Sequence, residues 1–129
     1  MTECSPNPFA EAWLMSWSKS LNSVPLHMRE SIIRYLLQGI PFGSFLSAVF
    51  ADSLVEAAGA ADGTNINILP AYAKFLYNYA PRGSWGSREK VSAWIDQGGS
   101  PLDTMRLPEE WRESVAVVVA SIKAEGGER

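Results

Sequence analysis

Histidine and cysteine are nearly missing from this chain, each occurring once in 129 residues, as His27 and Cys4. A lone cysteine excludes an intrachain disulfide, and one distant histidine adds no ligand cluster of zinc spacing. The same scarcity leaves no Ser–His or Cys–His pair close in sequence for nucleophilic catalysis. Basic residues are the minority charge, with 11 Lys and Arg against 14 Asp and Glu, a net charge of −3. Such a balance argues against general affinity for nucleic acid, whose binding is dominated by phosphate neutralisation. Long apolar runs are absent too: the longest in the C-terminal half, 115–120, is far too short to span a bilayer. The first fifteen residues hold Glu3 and Glu11 but no basic region of the kind that opens a signal peptide. The expectation is a cytoplasmic protein with no membrane partner, no cofactor and no metal.

What the chain has is core material. The apolar fraction is 47%, with five Trp and five Phe, and the length suits one domain. Helical periodicity, caps and glycine stops predict six helices, at 8–21, 25–38, 44–60, 65–79, 87–97 and 108–124. Residues 1–7 and 125–129 are expected to fray. The expected fold is an all-α bundle around the third helix, capped by Ser44 and rich in alanine to Ala61. Its spacing of Leu46, Val49, Phe50, Leu54, Ala57 and Ala61 places them on one inward face, and its small residues invite close neighbours.

Phe9, Trp13, Trp17 and Leu21 form one stripe of the first helix, facing either the core or a partner. In the second helix Met28, Ile32, Tyr35 and Leu36 face inward, with His27, Ser31, Arg34 and Gln38 opposite, and Gly39 as the stop. Leu69, Tyr72, Leu76 and Tyr79 face inward in the fourth, where Pro70 marks either the start or a kink. Ser87 caps the fifth, which buries Val91, Trp94 and Ile95 and ends at Gly98-Gly99. Trp111, Val115, Val118 and Ile122 share a face of the last, and the start signal at Pro108 outweighs a strand reading of its β-branched run.

Chemistry-bearing motifs are few. The word Gly83-Ser84-Trp85-Gly86-Ser87 lacks both the spacing and the preceding strand of a serine elbow or a phosphate loop. Asp52 and Glu56 stand one turn apart, as a solvated or salt-bridged strip rather than a metal site. Trp85 is flanked by Arg82, Arg88 and Lys90 beside a helix start, a grouping able to meet a phosphate, a base or an acidic partner. The alternative for Trp85 is a lid over the core. These six residues are the candidate partner-binding set, and no catalytic residue is assigned.

The words Tyr35-Leu36, Gly39-Ile40-Pro41, Gly43-Ser44-Phe45-Leu46, Ala48-Val49, Glu56-Ala57 and Ala61-Asp62 recur in a recognisable order. Phe75-Leu76-Tyr77-Asn78, Ala80-Pro81, Trp85-Gly86-Ser87, Lys90-Val91 and Ala93-Trp94 follow. Over about residues 26–99 the chain resembles small hypothetical proteins encoded by tailed phages and prophages. It departs from their pattern at Asp52-Ser53, Ala58 and Ala60. The resemblance implies a phage-type accessory protein in the bacterial host cytoplasm and carries over no catalytic residues. The expected function is non-enzymatic: binding and inhibiting or modulating a host protein complex, with an anti-defence, anti-CRISPR-like role as its sharpest form. The alternative is a small regulator that binds nucleic acid or a nucleotide through Arg82–Lys90.

Overall fold

The computed structural model describes residues 23–126, which form seven α-helices and no strand. The expected helix 8–21 and Cys4 lie outside the described residues. Helix α1 (Leu26–Gln38) follows Pro25 and stops at Gly39, whose φ of +69° is the left-handed conformation expected there. Its inward face holds Ile32, Ile33, Tyr35 and Leu36, all buried.

The expected helix 44–60 is two helices. Helix α2 (Ser44–Phe50) is the buried central one, with Phe45, Leu46, Ala48, Val49 and Phe50 inside. Gly43, not Ser44, occupies its cap position, and no side chain caps it. The chain then turns at Asp52, the only described non-glycine residue with positive φ, at +61°. Asp52 N–H donates to the Val49 carbonyl at 3.1 Å and Ser53 N–H to that of Ala48 at 2.9 Å. Those two bonds make a Schellman stop, with aspartate where glycine usually sits. Helix α3 (Leu54–Ala60) resumes on the surface, where only Ala57 is buried. Leu54 is exposed, contrary to its expected inward place, and a Cβ on Gly59 would meet nothing within 4 Å. Of the small residues of α3, Ala57 packs inward, whereas Gly59 and Ala60 are exposed.

The expected helix 65–79 also divides. Helix α4 (Gly63–Asn67) is capped by Asp62, whose carboxylate accepts from Asn65 N–H at 2.7 Å. Helix α5 (Leu69–Asn78) begins afresh with Pro70 in its first turn, where a missing N–H is harmless. Asn65 ties the two together by accepting the Tyr72 hydroxyl at 2.7 Å. A 3₁₀ turn at Arg82–Ser84 leads to α6 (Arg88–Gln97), capped as expected by Ser87 on Lys90 N–H. Two further 3₁₀ turns, Leu102–Thr104 and Glu109–Trp111, precede α7 (Arg112–Gly126), so the β-branched run is helical. Trp111 and Val118 of the last stripe are fully buried, with Val115 and Ile122 packed beside them. Arg34, expected in solvent, instead donates to Ser121 of α7 at 2.9 Å.

Tyr35 joins α1, α2, α6 and the loop before α6. Its ring stacks on Phe42 at 4.3 Å and meets Phe50 edge-on at 5.1 Å. Its hydroxyl donates to the Ser84 carbonyl at 2.7 Å, and its own carbonyl accepts Trp94 Nε1–H at 3.0 Å. Beside it the ends of α1 and α6 meet backbone to backbone, and Ser100 N–H reaches the Leu36 carbonyl at 3.0 Å. A Cβ on Gly99, φ +78°, would come within 2.6 Å of Gln38 N, so no side chain fits. Gly99→Ala is expected to lower stability by at least about 3 kcal/mol, combining left-handed strain with a backbone clash. An unchanged urea midpoint would contradict this packing.

Burial raises the phenol pKa of both Tyr35 and Tyr72 well above the ordinary 10.0, with Asp62 adding to the effect at Tyr72. Both stay protonated in the fold and ionise in the unfolded chain, so stability is whole below pH 10.0 and falls as pH rises further. Urea midpoints measured across that alkaline range should decline, and less steeply in Tyr72→Phe.

Candidate functional site

Four of the six candidate residues fall into two pairs. Arg88, in the first turn of α6, pairs with Glu56 of α3 across the surface. Both side chains are more than half exposed, so the pair fixes orientation more than it stabilises. Asp52 and Trp85 line a common open groove of about 400 Å³ with Ala73, Lys74, Leu76, Tyr77 and Asn78 of α5. A smaller hollow lined in part by Leu54 shares Asp52, Ala73 and Leu76 with it, so the two adjoin. The strip expected at Asp52 and Glu56 is thereby divided. Glu56 is neutralised by Arg88, whereas Asp52 is exposed and its carboxylate has no partner among the described residues.

The Trp85 loop is held at both sides of the indole. Ser84 is buried, its hydroxyl donates to the Pro81 carbonyl at 2.6 Å, and its own carbonyl accepts Tyr35. Gly86 N–H donates to the Phe50 carbonyl at 2.8 Å. Trp85 between them is half-buried: its body packs on the core while it also lines the groove.

Arg82 and Lys90 stand apart from the groove. Lys90 lies over Gly86, with its Cδ 3.3 Å from where a Cβ would project, and Arg82 is exposed on its 3₁₀ turn. With Arg88 engaged by Glu56, the expected basic cluster does not converge on one point. Tyr77 is the residue that periodicity overlooked. The signal was present, since an aromatic one step off the stripe of Tyr72, Leu76 and Tyr79 must point elsewhere.

Among the described residues no three His, Cys, Asp or Glu side chains group as a metal site. No described helix is long and apolar enough to cross a membrane. No protein-family model, curated protein or solved structure matches the chain.

The backbone at Asp52 yields a prediction. Left-handed geometry costs a non-glycine residue roughly 1–2 kcal/mol, and glycine's extra freedom when unfolded offsets about 0.5–1 of that. Asp52→Gly should therefore raise stability by about 0.5–1 kcal/mol in urea titration. A loss of stability would mean that the carboxylate itself holds the turn.

Proposed function

We propose that this chain is a non-enzymatic binding protein that inhibits or modulates a host protein complex, docking it on the face formed by α3, α5 and the Trp85 loop. The observation that carries this reading is the large apolar surface gathered there. Tyr77 is 83% exposed at a groove lined mainly by carbon, and Leu54 is 70% exposed at the adjoining apolar hollow. Isolated exposed apolar residues are ordinary, whereas several around a concavity are characteristic of contact surfaces. The ionisable groups lining the groove are Asp52, Lys74 and Tyr77, which supply neither a metal set nor a nucleophile paired with a base. The phage-type origin, the host cytoplasm and an anti-defence role come from the resemblance over residues 26–99, and the geometry is neutral to them.

The test is affinity capture from bacterial lysate with the full chain, Tyr77→Ala and Leu54→Ser, each first shown to be folded. The native chain should retain a defined protein complex, and either variant should retain about a tenth or less, as for loss of a buried anchor. Equal capture by both variants would remove this face. Capture of nucleic acid instead, falling steeply with salt, would favour the Arg82–Lys90 alternative.

A further inference from the structure

The groove carries more than apolar surface. Two aromatic rings, Trp85 and Tyr77, and the Asp52 carboxylate, which has no partner among the described residues, line the same concavity from three different elements. Ala73 and Leu76 share a face of α5 between them and make an apolar bed. Aromatic faces attract cations through their quadrupole, tryptophan most strongly, and a carboxylate adds a charge-assisted hydrogen bond. Arg88 is committed to Glu56, and Lys74, which also lines the groove, is not free.

We propose that the groove receives a basic side chain, arginine in its best form, from an apolar segment of a partner protein. This rests on the docking face proposed above and names the chemistry it would recognise. The aliphatic stem lies along Ala73 and Leu76, the guanidinium stacks on Trp85, and its edge meets the Asp52 carboxylate. Arginine suits this better than lysine because its planar group both stacks and forks onto a carboxylate. Of the two charged residues lining the groove, Lys74 has a partner, and Asp52 has none among the described residues. The groove volume, about 400 Å³, is also within the usual span of pockets that enclose a side-chain-sized ligand. An acidic occupant would face Asp52 unpaired, and a purely apolar one would leave that carboxylate desolvated without compensation.

The experiment uses the full chain to select from a yeast-displayed library of random short peptides. Affinities of the selected peptides are then measured by fluorescence anisotropy. Asp52→Asn is the informative variant, because asparagine tolerates the left-handed turn and removes only the charge. Selected peptides should share an arginine or lysine beside apolar residues. Replacing that residue by glutamine should weaken binding to the native chain by about tenfold or more, and by much less in Asp52→Asn. Raised salt should weaken the native pair and leave the Asp52→Asn pair nearly unchanged. Peptides with no shared basic residue, yet sensitive to Tyr77→Ala, would overturn the cation site and leave the docking face standing. Peptides indifferent to Tyr77→Ala and Asp52→Asn, or none selected, would overturn the cation site, and the lysate capture judges the face separately. Concentration-dependent self-association in sedimentation, abolished by Tyr77→Ala, would assign the groove to a second copy of this chain and overturn it too.

Discussion

One tyrosine sets the geometry on which the rest depends. Tyr35 places a ring against Phe42 and Phe50, gives its hydroxyl to the Ser84 carbonyl, and offers its own carbonyl to Trp94. A buried phenol without an acceptor, or a buried indole N–H without one, would each cost on the order of 1–3 kcal/mol. Here the Ser84 carbonyl satisfies the phenol and the Tyr35 carbonyl satisfies the indole, so both requirements are met around one residue. The Gly39, Gly98 and Gly99 contact complements this node, because α6 can present Trp94 to Tyr35 only if the two helix ends touch through bare backbone. A side chain at Gly99 would push the helices apart and pull both hydrogen bonds from their partners.

The same node reaches the surface. Ser84 is fixed by Tyr35 and Gly86 by Phe50, so the residue between them has little freedom of position. Trp85 is thus held at the groove by bonds that belong to the core. A binding surface built this way loses little conformational entropy when a partner arrives, which is how pre-organised contacts gain affinity. Arg88 and Glu56, which do not line the groove, tie α6 to α3 by an exposed ion pair that adds orientation more than energy.

Much of the architecture was legible from local chemistry. Gly39 and Gly98 stop helices because a left-handed residue is needed there; Ser87 starts one because its hydroxyl meets Lys90 N–H. The inward stripe of α1 followed from spacing alone. What misled was the stretch 44–60, where apolar periodicity runs on through Asp52 without a glycine or proline to interrupt it. Aspartate tolerates the left-handed region, so the stop is real yet carries a weak signature. The alanines beyond it were read as room for neighbours, but smallness permits close packing and does not cause it, and α3 lies on the surface. The candidate site was half legible. Sequence supplied Trp85 and Asp52 as separate candidates, and only the break after Phe50 brings them to one groove.

That break explains why a carboxylate stands at the mouth of an apolar groove. Had the helix continued straight from Ser44 to Ala60, Asp52 would sit two residues beyond Phe50 on a rod, with α3 carried away from α5. The Schellman turn instead folds α3 back, so that Asp52 and Leu54 border the same surface as Ala73 and Leu76. Glycine would make the turn with less strain, but it would place no charge there. Asparagine would keep a polar group and lose the charge. Aspartate alone among the residues at ease in this conformation both ends the helix and leaves a formal negative charge at the rim. The turn that shapes the groove therefore also sets a carboxylate on its lining, and the two properties change together with one side chain.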